Sequence, residues 1–255
     1  MQIIQELILP TMSLIRVLIN GSKGRMGQES VKAVSEDPDL DLVAQTDLGD
    51  NLPEEISQTK AQVVVDFTTA AAVMKNAGCI IESGARPVIG TSGLLPEQVA
   101  ELQKLCNKQK LGGIIVPNFA IGAVLMMKYS QDAAKYFPHV EVIEMHHDRK
   151  ADAPSGTAIK TAHLLAESRG SAPQTVDEKE ILSGARGANA GDIRIHSVRL
   201  PGLVAHQEII FGGRSQILTI RHDSIHRDSF MPGVCLACKK VVDLNELVYG
   251  LEHLL

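Results

Sequence analysis

Apolar residues first gather in short blocks separated by turn residues. Ile15 to Asn20 reads Ile-Arg-Val-Leu-Ile-Asn and Leu42 to Thr46 reads Leu-Val-Ala-Gln-Thr. Val63 to Val65, Pro87 to Ile89 and Ile114 to Val116 continue the series. Blocks this short, rich in Val and Ile and bounded by Gly, Pro, Asn or Asp, predict strands. Between them, Gln28 to Ser35, Ala71 to Glu82 and Pro96 to Gln109 carry helical periodicity. Strand and helix alternating in this way predict a parallel, doubly wound sheet.

After Asn118 the pattern changes. Gly122 to Phe137 predicts a helix with Val124, Leu125 and Met127 towards a core. Longer strands follow at His139 to Met145, Asp192 to Leu200, Leu203 to Phe211 and Gln216 to His222, with one helical crossover, Ala158 to Ser168. Pro201-Gly202 and Gly212-Gly213 read as hairpin turns between the last three strands. Gly184 to Gly191, rich in glycine, reads as a loop. The tail predicts two helices, Ser229 to Lys240 and Leu244 to Leu254. The expected fold is α/β: a doubly wound parallel sheet plus a second α+β domain with an open mixed sheet. Residues 1–118 and 229–255 are expected to form a dinucleotide-binding domain. Residues 119–228 form a substrate-binding and oligomerisation domain, and 1–11 an appendage.

Composition narrows the function classes. A formal net charge of −5, with 22% charged residues, argues against a nucleic-acid binder. No apolar run is long enough to span a membrane, and the first residues lack the basic start of a signal peptide. Cys235 and Cys238 form a C-x-x-C without a second pair, and read as buried helix thiols. Reduced cysteines in such a chain point to the cytoplasm.

Two stretches carry chemistry. Gly21-Ser-Lys-Gly24-Arg-Met-Gly27 joins a strand to a helix, the context a dinucleotide fingerprint requires. Asp47 ends the next strand, where an acid holds the adenosine ribose. A carboxylate there repels a 2′-phosphate, so NADH should be well accepted, although Lys23 and Arg25 could serve NADPH. Asp66 to Thr69, Gly90 to Gly93 and Pro117 to Ala120 end three further strands with small polar residues, as a cofactor groove would. The second stretch runs from Glu144 to Ala158, Glu-Met-His-His-Asp-Arg-Lys-Ala-Asp-Ala-Pro-Ser-Gly-Thr-Ala. His146 and His147 titrate near neutrality by type, Arg149 and Lys150 are cations, and Ser155 or Thr157 can cap the next helix. A helix start suits an anion, so the stretch is built to hold a small anion and give it a proton. His146 and His147 alternate along a strand and could not readily share an ion, so no metal is expected.

These motifs together resemble the dihydrodipicolinate reductase family, most specifically through Glu144-x-His146-His147-x-x-Lys150-x-Asp152-Ala153-Pro154-Ser155-Gly156-Thr157-Ala158. The resemblance runs from Ile15 to the end. It implies a Rossmann-like first domain and a cytoplasmic homotetramer that reduces 4-hydroxy-tetrahydrodipicolinate with NADH or NADPH and loss of water. By the same resemblance His146 is the proton donor and Lys150 assists. His147, Gly156 and Thr157 hold the substrate, with Ser155 at the helix start. Gly21, Ser22, Lys23, Gly24, Arg25, Met26, Asp47, Gly90, Thr91, Ser92, Val116, Pro117, Asn118 and Phe119 hold the cofactor. Leu48 stands where some members carry an arginine for the 2′-phosphate. Closure of the two domains is expected to join cofactor to substrate. A semialdehyde dehydrogenase or an NAD-binding sensor would share the two-domain plan, but neither needs the His-His-x-x-Lys loop.

Overall fold

A computed structural model describes residues 13–170 and 179–255; the expected appendage lies outside them. The chain forms two compact units. The first comprises the described residues up to Ile115 together with Cys235–Val248, and the second Val116–Val234 with Tyr249–Leu255.

The first unit is built on a six-stranded sheet. Its strands are β1 (Ile15–Asn20), β2 (Leu40–Thr46), β3 (Val63–Asp66), β4 (Arg86–Ile89), β5 (Gly113–Ile115) and a final strand, Leu247–Tyr249. The order runs from the final strand through β5, β4, β3 and β1 to β2. The pairs β1–β2, β1–β3, β3–β4 and β4–β5 are parallel. Val17, Leu18, Ile19 and Val63 to Val65 are fully buried. Parallel strands covered on both faces need such continuous apolar runs, which is why these blocks do not alternate. Helices α1 (Arg25–Glu36), α2 (Leu52–Thr59), α3 (Val73–Glu82) and α4 (Pro96–Gln109) connect the strands. The strand order reverses beside β1, placing its glycine turn where open α/β sheets bind ligands.

Helix α2 was not expected from periodicity. Asn51 precedes it, Pro53 lies in its first turn with Glu54 and Glu55, and Leu52 and Ile56 are buried. That is an N-terminal signature in a helix too short for a clear period. The tail corrects a second expectation, because Leu244 to Leu254 is not one helix. Helix α7 (Met231–Lys240) is followed by a 3₁₀ turn, the strand Leu247–Tyr249 (β11) and another 3₁₀ turn, Leu251–Leu254. Glu246 accepts a hydrogen bond from the Gly113 backbone (3.1 Å), and Gly250 sits at φ +109°. Sheet pairing and a left-handed glycine outweigh the leucine spacing there.

The second unit holds a five-stranded mixed sheet. It contains β6 (His139–His146), β7 (Ala188–Ala190), β8 (Ile193–Arg199), β9 (Ala205–Gly213) and β10 (Gln216–Ser224), in the order β10-β9-β6-β8-β7. Helices α5 (Ile121–Ala134) and α6 (Gly156–Ser168) belong to the same unit. Strand β8 runs parallel to β6 and β9 antiparallel to it. Pro201-Gly202 therefore does not close a hairpin, because β6 lies between β8 and β9. The parallel β6–β8 pair requires a crossover, and α6 lies in it. The β9–β10 turn is Arg214-Ser215, with Ser215 at φ 59°, while Gly212 and Gly213 belong to β9. A Cβ on Gly213 would come within 2.9 Å of the Phe137 ring, so that glycine serves packing. The glycine-rich segment is likewise not all loop. Ala188–Ala190 pairs with β8 through Gly191-Asp192, both at φ 61°, the left-handed pair of a type I′ hairpin. Arg186 within the glycine-rich segment is salt-bridged to Glu141. Among the described residues, no helix is long and apolar enough to cross a membrane.

Candidate active site

In the first unit, the turn after β1 is shaped by close backbone approach. Gly21 lies at φ +83°, and a Cβ on Gly27 would sit 2.0 Å from the Gly21 carbonyl oxygen. Only glycine lets α1 start this close to the turn. Its N-cap, Gly24, supplies no side-chain hydrogen bond, so the first-turn N–H groups have no side-chain cap. The Asp47 carboxylate lies against the turn and accepts the Lys23 N–H (2.8 Å) and the Leu48 N–H (2.8 Å). These two bonds, Leu48 first, hold its pKa below the usual carboxylate value. A helix start without a side-chain cap, beside an ionised acid, fits the pyrophosphate and ribose of a dinucleotide. Leu48 is 99% exposed and offers no cation.

The strand ends are tied by buried polar groups. Asp66 is fully buried and accepts from Asn20 Nδ2 (2.8 Å), Asn76 Nδ2 (3.0 Å) and the Thr68 and Thr91 hydroxyls. Thr46 in turn donates to Asn20 Oδ1 (2.9 Å). This network joins the ends of β1, β2, β3 and β4. The Thr91 hydroxyl is committed to it, also accepting the Thr68 N–H (2.7 Å), whereas Ser92 is exposed. A Cβ on Gly90 would strike the Phe67 ring.

The second unit contains a cavity of about 230 Å³ lined wholly by its own residues. His146, Ser155, Thr157, Pro117 and Asn118 line it, and so do His206, Gln207 and His222, which the sequence did not single out. His147, Lys150, Gly156, Val116 and Phe119 are not among its lining residues. Ser155 caps α6 by accepting the Ala158 N–H (3.2 Å), so this helix start opens at the cavity through Ser155 and Thr157. The Lys150 ammonium is held by Asp152 (2.7 and 2.8 Å). His147 keeps a buried Nδ1 with no protein partner.

His146 ends β6 on the face that Val140, Val142 and Glu144 bury. Its Nδ1 lies 2.5 Å from Glu144 Oε2. Burial pushes the imidazole pKa down, Glu144 pulls it up, and Lys150 and Arg199 push it down again; the balance lies below the ordinary value. Glu144 is fully buried. Arg199 donates to both of its oxygens (2.8 and 2.9 Å), and the Ser155 N–H donates to Oε1 (3.2 Å). Burial alone would raise its pKa, but hydrogen bonds from Arg199, Ser197 and His146 outweigh it and hold the group ionised. His206, also in the lining, pairs with Asp223 through Nδ1 (2.7 Å), and its Nε2 accepts the Val204 N–H (3.2 Å).

Both parts of the chain match profiles of one family. The profile described as dihydrodipicolinate reductase, N-terminus, matches residues 15–119, and that described as dihydrodipicolinate reductase, C-terminus, matches residues 122–255. The chain belongs to the dihydrodipicolinate reductase family. It is therefore an oxidoreductase, from a family that carries out a reduction step of lysine and diaminopimelate biosynthesis. It is 54% identical to the 4-hydroxy-tetrahydrodipicolinate reductase of Streptococcus pneumoniae serotype 19F, over 94% of this chain and 99% of that one. Among solved structures, it resembles the dipicolinate-bound dihydrodipicolinate reductase from Paenisporosarcina sp. TG-14. That match has 47% identity and a TM-score of 0.88, and covers 95% of this chain and all of the other. A likeness to GenD2 of gentamicin A biosynthesis, in complex with NAD, has 14% identity and a TM-score of 0.63, and bears on fold alone. The Rossmann-type first unit of this reductase-family chain fits a nicotinamide cofactor.

Proposed function

We propose that the enzyme reduces 4-hydroxy-tetrahydrodipicolinate to tetrahydrodipicolinate with loss of water, taking hydride from NADH or NADPH and a proton from His146. The supporting observation is that His146 lines one cavity with Ser155 and Thr157 of the α6 start. The substrate is a small dicarboxylate. One carboxylate lies against the first-turn N–H groups of α6, including Gly156 and Thr157, where the helix dipole favours an anion. His147 and Ser155 complete its cradle.

Loss of the hydroxyl as water leaves a conjugated imine. The nicotinamide, when bound, supplies the hydride. The electron pair displaced by hydride addition takes the proton from His146 Nε2, and the imidazole is left neutral, still hydrogen-bonded to Glu144. Lys150 assists by offsetting negative charge. Its ammonium rests on Asp152, which is exposed, and a substrate carboxylate competes for it.

The cofactor is held by Gly21, Ser22, Lys23, Gly24, Arg25 and Met26 at the turn, by Asp47 at the ribose, and by Gly90 to Ser92 and Val116 to Phe119. Asp47 with exposed Leu48 favours good use of NADH. The first unit serves the nucleotide and the second the substrate. The enzyme works in the cytoplasm as a homo-oligomer, a tetramer.

The test is a coupled assay supplying the condensation product of pyruvate and aspartate semialdehyde, followed by nicotinamide absorbance with each cofactor separately. Oxidation should occur with NADH and should fall by about 10²–10⁴-fold in His146→Gln while NADH binding persists. No oxidation with either cofactor would refute the reaction. Undiminished turnover in His146→Gln would refute the acid.

A further inference from the structure

The buried acid beside the proposed proton donor neither gives nor takes the substrate's proton, yet three elements converge on it. Glu144 lies on β6, two residues before His146 and on the same face. Arg199 reaches it from β8 with two hydrogen bonds, and Ser197 of β8 donates to it as well. The backbone N–H of Ser155, the residue that caps α6, reaches it from the third side. One carboxylate therefore touches the imidazole and the helix start that face the same cavity.

We propose that Glu144 is the positioning residue of this site, fixing His146 as its Nδ1–H tautomer and tying it to the N-terminus of α6, with the two Arg199 hydrogen bonds holding the carboxylate in place. The inference rests on the assignment of His146 as proton donor. Its physical core is donor bookkeeping. An ionised carboxylate only accepts, so Nδ1 must carry a proton. The protonated imidazole then presents Nε2–H as its transferable proton, and after transfer it is already in the tautomer that Glu144 holds. The same contact stabilises the imidazolium. Without it, burial and the cations Arg199 and Lys150 would leave the ring neutral over more of the pH range. His206 and His222, from β9 and β10, line the same cavity, and Asp223 faces His206. Among the described residues neither histidine is hydrogen-bonded to His146, so the charge that answers Arg199 and Lys150 at this ring comes from Glu144.

The experiment is a double-mutant cycle in the full-length enzyme, with kcat, KM, the pH profile of kcat and the NADH Kd measured for each form. Glu144→Gln is expected to lower kcat by about 10–100-fold, part of what a general acid supplies. The pH at which kcat falls on the alkaline side should move down by about one unit, equivalent to a tenfold change in protonation. The NADH Kd should stay within about twofold. In a His146→Gln background, Glu144→Gln should cost less than about threefold more, because residues acting as one unit are not additive. An unmoved alkaline limb, or a full additive loss in that background, overturns the proposal and reduces Glu144 to a structural role. Should Glu144→Gln fail to bind NADH, Glu144→Asp keeps the charge facing Arg199 while withdrawing it from Nδ1. The same acidward movement is expected there, and an unmoved limb again overturns the idea. Wild-type turnover in His146→Gln alone would remove the acid assignment itself. Collapse in His146→Gln with independent behaviour of Glu144 would remove only the present inference.

Discussion

Replacing Arg199 with methionine would test whether the buried carboxylate is as dependent on its cation as the geometry indicates. Glu144 is fully buried, and the Arg199 side chain is 18% exposed. The substitution keeps an unbranched stem but removes both guanidinium bonds to the carboxylate and the bond to the Asp152 carbonyl (2.8 Å). Breaking a buried pair from one side costs about 3–5 kcal/mol. Three donors remain on Glu144, from His146, Ser155 and Ser197, so the loss belongs near the lower end, about 3 kcal/mol. With a urea dependence of about 3 kcal/mol per M, that moves the unfolding midpoint down by about 1 M. The pH dependence has a definite sign. In the wild type the folded carboxyl lies below its ordinary value, so its stabilisation is present above that value and is lost as pH falls through the depressed one. In Arg199→Met, burial raises the folded pKa, so the penalty is greatest at high pH and shrinks as the carboxyl takes up a proton. Protonation of His146 acts in the same direction. The stability gap should therefore be wider at pH 7 than at pH 5, measured by urea unfolding followed by circular dichroism. A gap under about 1 kcal/mol at pH 7, or one that widens at pH 5, would refute the reasoning.

Two further outcomes follow from the other unit. Gly27→Ala places a methyl 2.0 Å from the Gly21 carbonyl and should weaken NADH binding by about tenfold or more, equivalent to about 1.4 kcal/mol. Titration calorimetry would show it, and an unchanged Kd would refute it. The thiols should separate by burial. Cys106 and Cys238 are fully buried, and burial, then the nearby Asp37 carboxylate, pushes Cys235 up to about 11. Cys79 is only partly buried. At pH 8 a disulfide reagent should therefore modify Cys79 alone in the native protein and the other three only after unfolding; rapid native modification of Cys235 would contradict this.

Strand blocks and turn residues were legible one by one because local chemistry dictates them. Ile15–Asn20 is strand and Pro96–Gln109 is helix as the periodicity reads, with proline in the first turn of α4. Gly21, Gly27 and Asp47 come together because a strand, a turn and a helix of fixed length leave the next strand nowhere else to end. Ser155 caps α6 by residue type alone. The Glu144–His146 pairing was half visible: residues two apart on a strand share a face, and Val140 and Val142 mark that face as the buried one. No local pattern could show that Arg199, from β8, would meet Glu144 there. Tertiary structure also decided the partners of the strands. Pro201-Gly202 looks like a hairpin turn, but β6 takes the place between β8 and β9 because parallel pairing with β8 is reached through α6. In the tail, leucine spacing suggested a helix, and an edge of the parallel sheet claimed Leu247–Tyr249 as a strand. His206 and His222 reach the cavity only because β9 and β10 join the same sheet as β6. The sequence by itself determined the strands of the first sheet up to β5, the glycine turn after β1, the cap of α6 and which side chains can carry charge or a proton, because those follow from neighbours within a few residues. Which buried acid meets which imidazole depends on strand order and register, and these are set by burial summed over the whole sheet.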